Sequence, residues 1–244
     1  MLEEIRSLDG PSFGLDWSPG GRRLASAVFD SKSSVWEPRT FNKPADTPSV
    51  QGALPEPAVV ARDGDWLDLM AGLKPEDVTV AGQGWVLESG ALRGSNKHYT
   101  TLAIATGFAR SSYQIQAKIR RFKPNESFTI LIPVGDSQTG VTLDGYPHLN
   151  FLSGLDYAGN KPFHPVAGLQ VNDSEVHQLD IIVRTNAELY TIEVKLDERP
   201  LFQWSGPASD LSRNARYTGL ARDQIGIGTH TAEWVVQGLK VKRL

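Results

Sequence analysis

A two-residue periodicity runs through most of this chain, and few folds are open to a chain with that period. In residues 112–121 the apolar Tyr113, Ile115, Ala117 and Ile119 alternate with Gln114, Gln116, Lys118 and Arg120. Successive side chains of a strand point to opposite faces, so this segment reads as a strand with one buried and one wet face. The rhythm returns where Tyr190, Ile192, Val194 and Leu196 alternate with Thr191, Glu193 and Lys195. Further short strands are predicted over residues 85–88, 100–105, 127–134, 141–144, 149–152, 168–171, 177–184, 201–204, 224–228 and 234–243. Turn residues separate them. Helix is almost absent: only residues 65–70 suit a short helical turn, which Gly72 and Pro75 are expected to stop. Many short strands with so little helix predict an all-β fold, a two-sheet antiparallel sandwich over residues 63–244.

The chain before that domain is organised differently. Residues 41–62, with Asn42-Lys43-Pro44 and Leu54-Pro55-Glu56-Pro57, hold no lasting period and read as a Pro-rich linker. Residues 13–37 read as strand, turn, strand, turn, strand, with Ser18-Pro19-Gly20-Gly21 at the first turn and a polar turn from Asp30 to Ser33. Trp17, Ser18, Pro19, Gly21, Leu24, Ala25, Ser26, Asp30 and Trp36 make this stretch resemble one blade of a WD-repeat β-propeller. The stretch Leu8-Asp9-Gly10-Pro11 lacks the family's upstream His, and no second copy follows at a period of about 40 residues. Residues 1–40 are therefore read as a blade fragment, since one blade cannot bury both faces of its sheet.

Composition removes several classes of chemistry. A chain of 244 residues is long enough for a full core. It has no cysteine, which excludes disulfides, thiolate metal sites and a cysteine nucleophile. A net charge of −3 supplies no overall basic field, so neither nucleic acid nor anionic lipid is an expected partner. The densest basic cluster, Lys118-Ile119-Arg120-Arg121-Phe122-Lys123, reads as the solvated side of a strand. No run of about 18 apolar residues is present to span a bilayer. Residues 1–7 are charged and carry no leader pattern, so a cytoplasmic location and no membrane partner are the expectations.

Within residues 63–244 the recurring landmarks are Gly84-Trp85, Gly90-Ala91-Leu92, Asp144-Gly145, the strand from Val176, Val194 to Trp204, and Gly226-Ile227-Gly228-Thr229-His230. Together they resemble a concanavalin A-like, laminin-G-like jelly roll, of the kind that planctomycete-type bacterial proteins join to kinase or WD-repeat regions. The hairpin Asp197-Glu198-Arg199-Pro200 lacks that group's usual glycine, which leaves its turn type open. The resemblance implies a curved sheet whose concave face or rim takes a carbohydrate or protein ligand. Polar and aromatic groups on the wet side of the strands are the candidates: Gln114, Gln116, Asp144, Tyr146, His148 and Asn150. The stretch from Leu143 to Asn150 supplies a carboxylate, a ring, an imidazole and an amide, the mixture of donors, acceptors and stacking surface that sugar hydroxyls require. The same stretch also reads as an ordinary solvated turn.

Catalytic patterns were weighed against these readings. A jelly-roll glycanase sets two carboxylates on neighbouring inward positions, as in E-x-D-x-x-E, about 5 Å apart. No E-x-D occurs in this chain. A non-catalytic recognition or scaffold module is therefore the leading expectation. The alternative is a glycoside hydrolase using Asp144 with Asp156 or His148. Glu193 and Asp197 straddle a turn and read as surface. Gly10-Pro11-Ser12-Phe13-Gly14 matches G-x-S-x-G but lacks the strand-to-helix elbow that gives the motif its meaning. Five histidines, His98, His148, His164, His177 and His230, form no zinc pattern, and His230 reads as a hydrogen-bonded edge residue. No cofactor is expected. Calcium has Asp156 and Asn160 as its only candidates, without an Asp-x-Asp-x-Asp-Gly loop. Trp85 and Trp234 are expected in the core, and Trp204 partly exposed.

Overall fold

The computed structural model describes residues 12–17, 24–28, 33–36, 64–81, 84–95, 97–123, 126–145, 148–153, 155, 165–168 and 170–244. The chain divides into two compact units, residues 1–49 and 50–244. In the first, strands β1 (Ser12–Trp17), β2 (Leu24–Val28) and β3 (Ser33–Trp36) form one antiparallel sheet in that order. The two turns that carry much of the WD-like pattern lie outside the described residues.

The second unit holds, in chain order, β4 (Leu67–Asp68), α1 (Pro75–Ala81), β5 (Trp85–Glu88), β6 (Ala91–Gly94), β7 (Thr100–Ala105), β8 (Tyr113–Lys123) and β9 (Phe128–Val134). It continues with β10 (Ser137–Gly145), β11 (Leu149–Leu152), β12 (Val166–Ala167), β13 (Val176–Asn186), β14 (Leu189–Leu196), β15 (Arg199–Pro207), β16 (Ile225–Thr229) and β17 (Glu233–Arg243). These strands make two antiparallel sheets. One runs β15-β14-β13-β8-β17-β6-β5, with β4 beside β17, and the other β12-β11-β10-β9-β16-β7. The all-β, two-sheet sandwich expected from the periodicity is what the chain forms.

The core lies between the sheets. Tyr113, Ile115, Ala117 and Ile119 of β8 point into it, as do Leu179, Ile181 and Val183 of β13. The facing sheet contributes Phe128, Ile130, Ile132 and Val134, with Ile225 and Ile227. Each such side chain removed from water is worth roughly 1.5–3 kcal/mol, which explains why the register of these strands is so firmly fixed. The Tyr113 hydroxyl crosses between layers to donate to the Pro133 carbonyl at 2.7 Å. Trp85, Trp234 and Trp204 all belong to this core, Trp204 being more buried than its place beside a hairpin suggested.

Several local expectations are corrected. Residues 65–70 form no helix; Leu67–Asp68 pairs with β17, and the helix begins at Pro75. Proline lacks the N–H that a first helical turn leaves unpaired anyway, so it starts this helix where it was expected to stop one. Residues 168–171 are not a strand: Gly168 turns the chain at φ 98°, and the Gln170 N–H goes to the Asp144 carboxylate at 2.9 Å. The β14–β15 hairpin closes through Asp197 (φ 50°) and Glu198 (φ 64°), both left-handed, as a type I′ turn requires. Glu198 stands where the glycine would, and Asp197 before it is held by its carboxylate, which accepts the Gln178 N–H at 2.9 Å and faces His177 Nδ1 at 2.6 Å. Among the described residues no helix is long and apolar enough to cross a membrane.

Candidate functional site

The outer face of the six-stranded sheet is built from small residues. Because Phe128, Ile130 and Ile132 face the core, Thr129 and Leu131 face away from it. On β16 the inward Ile225 and Ile227 leave Gly226 and Gly228 outward. Residues 211–221, between β15 and β16, lie over this face as a strap. A Cβ on Gly226 would meet Leu220 at 2.7 Å, and one on Gly228 would meet the Tyr217 ring at 2.6 Å. Glycine is required there for the strap to lie flat.

Polar bonds hold the strap at both ends. Gln138 Nε2 donates to the Ala221 and Gln224 carbonyls at 3.1 and 2.6 Å, and Arg213 Nη1 donates to Gln138 Oε1 and to the Leu220 carbonyl. Thr101 Oγ1 donates to the Thr218 carbonyl at 2.7 Å, and Ser137 Oγ to that of Leu211 at 2.6 Å. The Tyr217 hydroxyl reaches Thr129 Oγ1 at 3.0 Å, which in turn meets Thr142 Oγ1 at 2.9 Å. Burial pushes the Tyr217 phenol up from its ordinary pKa, against its hydrogen bonds with Thr129 and Ser127.

Where the strap stops, a cavity of about 310 Å³ remains open on the sheet. Its floor is Thr142, Gly145, Phe151 and Ser153, one wall is Asn214, Arg216 and Tyr217, and the other is Tyr99, Glu126, Ser127 and His230. That volume lies at the low end of small-ligand sites. Two larger depressions, of about 490 and 610 Å³, sit among the exposed hairpin ends at Ala187, Glu188 and Leu189. They gather fewer rings and no histidine, so the smaller cavity is the stronger candidate.

The cavity's side chains hold one another in place. Tyr99, at φ 49°, stacks on the His230 ring with centroids 4.1 Å apart and meets the Tyr217 ring edge-on at 5.3 Å. A bulky residue in the left-handed region costs on the order of 1–3 kcal/mol and persists only where its surroundings fix it. Arg216 lies 5.2 Å over the Tyr99 ring and donates from Nη1 to the Tyr99 hydroxyl at 2.7 Å. His230 Nδ1 faces the Glu126 carboxylate and its Nε2 faces His98 Nδ1 at 3.1 Å. A carboxylate only accepts, so the neutral imidazole carries its proton on Nδ1 and takes a hydrogen bond from His98 on Nε2. Burial and then His98 hold the His230 pKa below its ordinary value.

The six residues singled out from sequence are not brought together. Gln114 and Gln116 stand on the outer face of the other sheet, where both donate to Asp180, at 3.1 and 2.9 Å. Asp144 is 1% exposed; it pairs with Arg121 at 2.9 Å and accepts the Gln170 N–H. Asn150 is fully buried, accepting from the Asp144 N–H and donating to the Val166 and Gly168 carbonyls. His148 is exposed, and Tyr146 lies outside the described residues. None of the five described residues lines the cavity, although Gly145 beside them does. The basic cluster is split: Lys118 is exposed, Arg120 lies over Phe122 at 4.2 Å, and Arg121 turns inward. Asp156 and Asn160 lie outside the described residues, among which no group of three or more His, Asp or Glu is placed to hold a metal.

Asn214, Arg216 and Tyr217 sit in a stretch with no period, between strands that have one. Two signals pointed there: a connection of 17 residues between β15 and β16, and alternate glycines in the strand that follows.

No family model matches the sequence, and no curated protein does. Solved structures do. A Bacillus subtilis protein of unknown function with a galectin-like fold superposes with a TM-score of 0.50 at 9% identity, over 75% of this chain and 98% of that one. The domain has a galectin-like jelly-roll fold. Lower superpositions include the carbohydrate-binding module CBM66 of B. subtilis, TM-score 0.42 at 11% identity over 74% of this chain and 97% of that one. The lectin UEA-II in complex with galactose gives 0.47 at 9% identity, over 75% and 99% of the two chains.

Proposed function

We propose that the jelly roll is a non-catalytic glycan-binding module and that the cavity beside the strap is its site. The observation that carries this reading is the cavity wall itself. Tyr99, Phe151 and Tyr217 supply apolar ring surface, while Asn214, Arg216, Ser127 and Glu126 supply donors and acceptors around it. A sugar offers an apolar C–H face edged by hydroxyls, and complements such a wall. The wall is also preorganised, since Tyr99, Arg216, His230 and Glu126 are bonded to one another without a ligand. Side chains fixed in advance lose little entropy on binding.

Binding without turnover is favoured because the cavity lining holds one carboxylate among the described residues, Glu126, and that one faces His230. Glycoside hydrolysis needs a pair, about 5–9.5 Å apart. The alternative, hydrolysis through Asp144 with Asp156 or His148, would use a carboxylate buried against Arg121. Residues 1–40 are read as a WD-like blade fragment carried beside this module.

The test is titration calorimetry of the full chain against sugars selected on a glycan array. Tyr99→Ala and Asn214→Ala are each expected to weaken binding about tenfold or more, a loss of about 1.4 kcal/mol. Gln116→Ala, on the opposite sheet, should bind as the unaltered protein does, and no reducing ends should be released. Saturable binding that survives Tyr99→Ala and Asn214→Ala but is lost with Gln116→Ala would move the site to the other sheet; no saturable binding at all would end the proposal.

A further inference from the structure

The charge inventory of the cavity is uneven. Its one carboxylate among the described residues, Glu126, faces His230. Its one guanidinium, Arg216, has no carboxylate within ion-pair distance among the described residues. The nearby Arg213 is turned away, toward Gln138 and the Leu220 carbonyl. A guanidinium carries five N–H donors, and Arg216 spends one of them, from Nη1, on the Tyr99 hydroxyl. That bond and the stacking on Tyr99 fix the plane of the group. They leave the edge formed by Nε–H and Nη2–H, two parallel donors spaced to grip two oxygens of one anionic group.

We infer that the site selects an anionic sugar, one whose carboxylate or sulfate ester is held by the free edge of Arg216 while its ring rests in the cavity. This rests on the glycan-binding reading above and narrows it. A neutral sugar would leave the Nε–H and Nη2–H edge to water, whereas an acidic one replaces that water with charge-assisted bonds. The Glu126 carboxylate lines the same cavity but is held on His230 Nδ1, so the anionic group is expected at the Arg216 end of the cavity and away from Glu126. Asn214 supports the geometry from below, its Oδ1 accepting the Arg216 N–H at 3.0 Å and anchoring the strap backbone under the guanidinium.

The experiment compares three oligosaccharides by titration against the full chain: an oligouronide, its carboxyl-reduced neutral counterpart, and that neutral chain carrying O-sulfate. At low ionic strength the acidic chains should bind about tenfold or more tighter than the neutral one. The advantage should shrink as salt is raised, because the charge sits at an open, screened site. Preference for the uronide over the sulfated chain assigns the ligand to carboxylate, and the reverse assigns it to sulfate. Arg216→Met should bind all three chains equally, and Arg216→Lys, which keeps the charge but not the fork, should retain part of the preference. Equal affinity of the unaltered protein for all three chains would overturn the selection of an anion while leaving glycan binding intact. Binding to none of them, or to any sugar on the array, would overturn both.

Discussion

Replacing Arg121 by methionine should be among the most damaging single changes in the domain. Arg121 stands in β8 of one sheet, and its guanidinium donates from Nη1 to Asp144 in β10 of the other at 2.9 Å. It also donates from Nε to Asp173 at 2.6 Å and from Nη2 to the Val171 carbonyl at 2.6 Å, and lies 5.7 Å over the Trp234 ring. The Arg121 and Asp144 side chains are 3% and 0% exposed. Methionine keeps the apolar stem but strands the Asp144 carboxylate without its cation, leaving it the backbone bonds of Gln170 and Val171. Breaking a buried pair from one side costs about 3–5 kcal/mol, because one charge is left uncompensated. For a domain of this size that is a fall in Tm of about 6–20 °C. Asp144 sits at φ 51°, a conformation asparagine tolerates, so Asp144→Asn removes the charge without straining the turn. Arg121→Met with Asp144→Asn should therefore recover about 2 kcal/mol of the single variant's loss. Burial already pushes the Asp144 pKa up, against the Gln170 N–H and Arg121. Without Arg121 it rises further, so the deficit of the single variant should narrow as pH is lowered and the carboxyl takes a proton. Urea unfolding of the single and double variants at neutral and mildly acid pH measures all of this. A single variant within about 1 kcal/mol of the unaltered protein, or a double variant no more stable than the single, would refute the reasoning.

Four further outcomes follow from the strap and the hairpins. Gly228→Ala places a Cβ 2.6 Å from the Tyr217 ring and 2.9 Å from the Thr100 carbonyl, so it should cost about 1–3 kcal/mol in urea unfolding and also weaken glycan binding. Gly226→Ala meets Leu220 at 2.7 Å instead and should cost a similar amount of stability with a smaller effect on binding. Tyr217→Phe loses the bond to Thr129 and should lower stability by about 0.5–1.5 kcal/mol, because Thr129 still has Thr142 as a partner. For Asp197, partial burial works upward, but the Gln178 N–H and His177 prevail and hold the pKa below the ordinary carboxylate value. Its stabilisation is present above that ordinary value and is lost as pH falls through the depressed one; Asp197→Asn should flatten this acid limb of the unfolding midpoint.

The legibility of the fold followed the wetness of its faces. β8 and β14 announced themselves because the outer face of their sheet meets water, so every second residue had to be polar. β9 and β10 are buried almost throughout, β9 beneath the strap and β10 beside its Gln138 anchor, yet Thr129 and Thr142 kept an alternation because their hydroxyls pair on the outer face. Helix α1 was missed because Pro75 carries two meanings, and a one-dimensional reading took the breaker over the starter. The stretch from Leu143 to Asn150 shows the limit for sites. Its carboxylate and amide have the composition of a sugar site, but a bulged hairpin needs the same groups to satisfy its own backbone. Asn150 serves the Asp144 N–H and two carbonyls there. Composition names the groups and not the direction in which they point.

The cavity owes its existence to an incomplete cover. Most outward residues on β16, β9 and β7 are small, Gly226, Gly228, Thr129 and Ala103, so Tyr217 and Leu220 sink against the sheet, pack on Leu131 and seal that half. Toward β10 and β11 the strap ends, and Gly145, Phe151 and Ser153 form a floor with nothing from the strap above it. Ser153 is fixed because its hydroxyl oxygen accepts the Gly140 N–H at 2.7 Å, so that floor is part of the sheet and stays rigid. The residues that would discriminate one ligand from another, Asn214 and Arg216, sit on the connection that is free to change without disturbing a strand. Exchange of residues 214–216 should therefore change which sugar is bound while leaving the unfolding midpoint close to its original value, because their side chains contribute to the wall and not to the core.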